Sequence, residues 1–133
     1  PMENVIKARA AELGLQDVLV LPGRLPSSAV AGYLRAARCL VLSSHNEGVP
    51  NVVLEALASG VPVVSTDVGG ISEVLNHPSL GRLVPPGDSE ALALAIAELV
   101  EKSPETEAIA NRGACFSWES ATKSYLELLE RSL

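Results

Sequence analysis

The sequence has 133 residues, 47% hydrophobic and 20% charged, enough apolar mass for one domain around a single core. Ten Lys and Arg against 16 Asp and Glu give a net charge of -6, which leaves no basic face for a phosphate backbone, and 3% aromatic residues provide no base-stacking platform, so nucleic acid is not an expected partner. No charged leader or long apolar run marks a signal peptide or membrane span, and Cys39 and Cys115, with no metal-ligand spacing between them, read as buried thiols in a reducing, cytoplasmic compartment.

The chain opens inside an amphipathic helical pattern, Glu3 to Leu13, which Gly14 ends. With no strand before it for a right-handed crossover to leave from, residues 1–133 read as a single partial domain. Apolar runs between Gly and Pro punctuation predict four strands, at Val18 to Leu21, Cys39 to Ser43, Val61 to Ser65 and Gly81 to Val84. Ser27 is positioned to cap a helix reaching about Ala37. Pro50 at a first helical position opens another that Gly60 closes, and a helical turn is expected from Ser72 to Leu75. Asp88 caps a longer helix to about Lys102, Pro104 starts a polar one, and Ser117 caps the last, Trp118 to about Arg131. Strands alternating with helices imply an α/β fold, a Rossmann-like parallel sheet of about four strands flanked by helices.

The run from Ser43 to Ala56, with Glu47, Gly48, Pro50, Asn51 and Glu55, carries most of the chemical information. It follows a strand and opens a helix. Gly48 allows a ligand to approach the backbone closely, and Pro50 brings no N–H to a helix start where it would be unpaired. The N–H groups of Asn51, Val52 and Val53, with the positive end of the helix dipole, make an anion site at the carboxyl edge of the sheet. A phosphate suits that site. Glu47 before the helix and Glu55 more than a turn inside it are placed to flank such a ligand and accept hydrogen bonds from sugar hydroxyls.

Glu47-x7-Glu55, followed by Ala56-Leu57-Ala58-Ser59-Gly60-Val61-Pro62-Val63-Val64-Ser65-Thr66, by Gly69-Gly70-Ile71-Ser72-Glu73-Val74, by Gly81-Arg82-Leu83-Val84-Pro85-Pro86-Gly87-Asp88 and by Phe116-Ser117-Trp118, resembles the retaining glycosyltransferases of family 4. The resemblance covers nearly the whole chain, and its specificity lies in the ordered set. It implies the C-terminal, donor-binding domain of a GT-B fold, in which a nucleoside diphosphate sugar is the donor substrate and no metal or other cofactor is required. It assigns Glu55 to the ribose hydroxyls and Glu47 to the transferred sugar. The backbone of Gly48, Val49, Asn51 and Val52 falls to sugar and phosphate, and Gly23, Arg24 and Leu25 to the neighbourhood of the base. Many members have Gly where this chain has Pro50.

The family's donor domain normally begins with two further strands, and an early βα region supplies an Arg and a Lys for the diphosphate; neither is in this chain. The isolated polypeptide is therefore expected to be inactive, because charge stabilisation of the leaving group is often a leading catalytic term. An acceptor-binding N-terminal domain, which could also bring a peripheral membrane contact, is the expected partner. In the family's strand order the first strand here would lie apart from the other three, so the sheet edge is expected to invite self-association.

Each residue also has a plainer reading. Glu47 could be a solvated loop carboxylate, Glu55 a buried Glu held by a salt bridge, and Arg24 a solvent-exposed cation. His45 reads as structural rather than as a general base, Gly69-Gly70 as a turn, Ser72 as a cap, and Phe116 with Trp118 as core anchors. Rival functions are a non-catalytic nucleotide-sugar-binding module and a GT-B-fold nucleotide-sugar epimerase.

Overall fold

The computed structural model describes residues 2–102 and 105–130. Its elements are α1 (Met2–Glu12), α2 (Ser27–Ala36), β1 (Leu40–Leu42), α3 (Asn51–Ala58), β2 (Val63–Thr66), α4 (Ile71–Val74), β3 (Gly81–Val84), α5 (Ser89–Glu101), α6 (Thr106–Gly113), a 3-10 turn at Ala114–Phe116 and α7 (Trp118–Glu130). The three strands form one parallel sheet in the order β1-β2-β3, with Leu40 opposite Val63 and Val63 opposite Gly81.

Side chains alternate across a strand, so neighbouring residues of β2 feed two different cores. Val63 joins Leu34, Val53, Leu57, Ile71 and Ile109 on one face, and Val64 joins Val84, Ala95 and Leu99 on the other. In α3, Val53, Ala56 and Leu57 are fully buried, the i, i+3, i+4 stripe of a helix laid on a sheet. A buried leucine such as Leu57 contributes about 1.5–3 kcal/mol by leaving water. α5 supplies the second face, and its start is fixed by Asp88, whose side chain accepts a 2.9 Å hydrogen bond from the Ala91 N–H as expected. At α7 the Ser120 N–H donates to Ser117 Oγ at 3.2 Å, also as expected.

The fourth expected strand is absent. Val18 to Leu21 is turn and coil, with the Val18 and Leu19 N–H groups folded back onto the Leu15 carbonyl. A strand needs a neighbour for its backbone donors and acceptors, and this run has none beside it among the described residues, so β-branched composition does not suffice. α1 forms, but without the expected amphipathic face: its apolar residues are spread around the helix, only Ala10 is buried, and Val5 and Ile6 are exposed.

Smaller differences have local causes. β2 starts at Val63 instead of Val61 because Pro62 has no N–H to donate; its carbonyl instead accepts from Leu40 at 2.9 Å. Pro26 and Pro50 occupy the N-cap positions of α2 and α3, so Ser27 and Asn51 are the first helical residues and Ser27 caps nothing. Gly70, not Ser72, precedes α4. Gly60 ends α3 as expected, at φ +74°. Phe116 and Cys115 are exposed, and Cys39 is half-buried, where desolvation pushes its thiol pKa up. Pro104, Arg131 and the Trp118 side chain lie outside the described residues. Among the described residues no helix is long and apolar enough to cross a membrane.

Candidate functional site

All three strands run the same way, so the loops after β1, β2 and β3 gather at one edge of the sheet, where open α/β folds place their ligands. The loop from Ser43 to Pro50 leaves β1 and delivers Glu47 and Gly48 just ahead of α3. Pro50 accepts from the Val53 N–H at 3.0 Å, while the N–H groups of Asn51 and Val52 lie in the first turn, where a helix has no partner for them.

Glu47 is half-buried and does not hang in solvent. Ser44 Oγ donates to its Oε1 at 2.7 Å, and Thr66 Oγ1 donates to the Ser44 carbonyl at 2.6 Å, tying the loop to the last residue of β2. The turn after β2 supports the same loop from below. The Gly70 N–H donates to the Gly48 carbonyl at 3.1 Å. Gly69 sits at φ +58°, and a Cβ there would collide with the Glu47 carbonyl. Gly69-Gly70 is thus a turn, as expected, and also the bed on which Glu47 and Gly48 rest. In the sequence, the Ser-x-x-Glu spacing of Ser44 and Glu47 is the local signal for the first of these contacts, and nothing contiguous marks Thr66.

Gly48 differs from Gly69. A Cβ on Gly48 meets nothing within 4 Å, and its φ is not in the left-handed region. Neither the backbone nor the chain's own packing demands a glycine there.

Glu55 is exposed, which corrects the expectation of a carboxylate embedded among apolar residues. The apolar face of α3 is the Val53, Ala56, Leu57 stripe. Glu55 lies four residues after Asn51 and shares its solvent face. No ion pair holds Glu55 among the described residues, so the structural salt bridge is not found. Val49 and Asn51 are exposed and Val52 half-buried beside them. Gly23 and Arg24 are exposed and Leu25 half-buried in the turn before α2, with Gly23 at φ +68°; no hydrogen bond or ion pair brings them to Glu47 or Glu55. His45 is exposed and lines a cleft of about 320 Å³ with Ser43, Thr66 and Asp88 at the same sheet edge. Among the described residues no group of three His, Cys, Asp or Glu could hold a metal ion.

A three-residue ion-pair network lies away from this edge. Arg82 and Glu98 join β3 to α5 at 2.6 Å and 3.0 Å, and Lys102 adds a 2.6 Å contact. Arg82 and then Lys102 hold the Glu98 carboxyl down at about 2.

A family profile described as "Glycosyl transferases group 1" matches residues 1–114. The D-inositol 3-phosphate glycosyltransferase of Thermobispora bispora is 39% identical over 132 residues, covering 92% of this chain and 30% of that protein. Among solved structures, the sucrose-phosphate synthase of Thermosynechococcus elongatus superposes with a TM-score of 0.82 at 30% identity, covering 95% of this chain and 33% of that one. The apo form of the lipopolysaccharide outer core galactosyltransferase WaaB has the same fold, with a TM-score of 0.82 at 21% identity over 96% of this chain and 37% of that one. The chain spans about a third of the length of these relatives.

Proposed function

The chain belongs to the group 1 glycosyl transferases, and from that premise we propose that it is the donor-binding portion of a retaining enzyme of family 4, moving a sugar from a nucleoside diphosphate sugar to an acceptor. The observation that carries this reading is Gly48: a glycine that neither its backbone nor its packing requires, next to a carboxylate held in place and a helix start with free N–H groups. The open space above Gly48 at this sheet edge supports the approach of a ligand there.

In this reading the diphosphate rests on the N–H groups of Asn51 and Val52 at the tip of α3. The Glu47 carboxylate accepts hydrogen bonds from hydroxyls of the transferred sugar, and the backbone at Gly48 and Val49 closes on it. Glu55, one turn further along the exposed face, takes the ribose hydroxyls, and Gly23, Arg24 and Leu25 serve the base. Glu47 acts by orientation and not as a nucleophile; retention follows from attack on the face the diphosphate leaves, with the leaving phosphate taking the acceptor proton. No metal is needed for these roles. Cations for the diphosphate and the acceptor site come from the rest of a longer protein, and this chain alone does not turn over donor.

The test uses the full-length enzyme with UDP-glucose and GDP-mannose. Glu55→Gln should weaken donor binding about tenfold or more with turnover less affected, because the ribose contact is the same in ground and transition states. Glu47→Ala should depress kcat more than donor affinity. Near-normal affinity and turnover in both variants would remove the assignment.

A further inference from the structure

We propose that Ser44 and Thr66 are positioning residues, a two-step hydroxyl relay that aims the Glu47 carboxylate before the donor arrives; this rests on the reading above that Glu47 meets the transferred sugar. Thr66 ends β2 and is only 4% exposed, so its hydroxyl has a fixed origin in the sheet. It donates to the Ser44 carbonyl at 2.6 Å, which sets the path of the loop as it leaves β1. Ser44 in turn donates through Oγ to Glu47 Oε1 at 2.7 Å. The Gly70 N–H holds the Gly48 carbonyl and Gly69 packs against the Glu47 carbonyl, so the backbone around Glu47 is held from one side and Ser44 holds its side chain from the other.

The arrangement leaves acceptor capacity where it is needed. A carboxylate has two oxygens with about four lone-pair sites, and Ser44 uses one of them. Oε2 and the remainder of Oε1 stay available to hydroxyl donors. A lone loop glutamate would have to give up rotamer freedom each time a sugar bound. The relay makes that ordering part of folding, and preorganised groups contribute most where the transition state demands their geometry. A purely structural role predicts something else: Thr66 would be a buried hydroxyl with a satisfied hydrogen bond, important to stability and indifferent to turnover.

Donor hydrolysis by the full-length enzyme, with UDP-glucose and GDP-mannose as probes, separates the two. Ser44→Ala and Thr66→Val should each lower kcat/KM for donor hydrolysis about tenfold, while Thr66→Ser, which keeps the hydroxyl, retains the wild-type value. In a Glu47→Ala background Ser44→Ala should have no further effect, because the group it aims is gone. Crystal structures give a readout independent of donor choice: Glu47 in one rotamer in wild type and Thr66→Ser, and in several in Ser44→Ala. A single unchanged Glu47 rotamer in Ser44→Ala overturns the relay. So does an equal Ser44→Ala effect with and without Glu47. Normal turnover in Ser44→Ala beside an impaired Glu47→Ala overturns the relay alone, whereas normal turnover in Glu47→Ala overturns the reading it rests on.

Discussion

Gly48 and Gly69 lie in neighbouring loops of one site and are glycine for opposite reasons. Gly69 holds a left-handed backbone against the Glu47 carbonyl, so Gly69→Ala meets both a conformational penalty and a collision. The backbone alone costs roughly 1–2 kcal/mol, and the displaced loop would carry Glu47 with it, so thermal stability and donor affinity should fall together. Gly48→Ala adds a methyl in open space at an ordinary φ. Its effect on unfolding free energy should stay within about 0.5 kcal/mol, while donor affinity in the full-length enzyme falls about tenfold. Urea unfolding and calorimetric titration of the two variants side by side check this. A Gly48→Ala enzyme that binds donor normally would mean the space above Gly48 is unused.

At the scale of elements, the pairing of β3 with α5 makes a sharp statement about pH. Arg82 and Lys102 hold Glu98 from its ordinary value of 4.5 down to about 2. Because the folded carboxyl releases its proton more readily than the unfolded one, the unfolded state binds more protons between those values. The contribution is therefore fully present above the unfolded value and is lost as pH falls from about 4.5 to about 2. The Glu98 side chain remains 39% exposed, so salt and solvent reduce the effect. Urea midpoints for wild type and Glu98→Gln should differ near neutrality and converge toward pH 2. A constant difference across that range would show that the pair does not act through titration.

At the scale of the whole molecule, the two cores on either side of the three strands draw on residues 30–109, and α1 with the turn after it stands outside them. Val18 and Val20 are 76% and 70% exposed, and α1 with the following turn leaves an apolar cleft of about 430 Å³ lined by Val5, Ile6, Leu15, Val18 and others. Contiguous exposed apolar surface favours association. The 133-residue chain by itself should show concentration-dependent light scattering, and Val18→Lys with Val20→Lys should reduce it. A stable monomer at millimolar concentration in the unaltered chain would remove this expectation.

Local patterns alone located β1, β2 and β3 to within two residues, together with the Asp88 and Ser117 caps, the Gly60 stop and the Glu47 to Glu55 cassette opening a helix, because each is written in contiguous residues: apolar runs, a proline without an N–H, a side-chain oxygen three residues ahead of a free donor. Tertiary structure decided the rest. Whether Val18 to Leu21 becomes a strand depends on a neighbour to share its hydrogen bonds, which its own composition does not supply. Which face of α3 is buried was fixed when Val53, Ala56 and Leu57 met the sheet, and that turned Glu55 outward. The hold on Glu47 joins positions 44, 47, 66 and 69 across two strand ends, and contacts between residues so far apart in sequence exist only once the parallel sheet has brought β1 and β2 side by side.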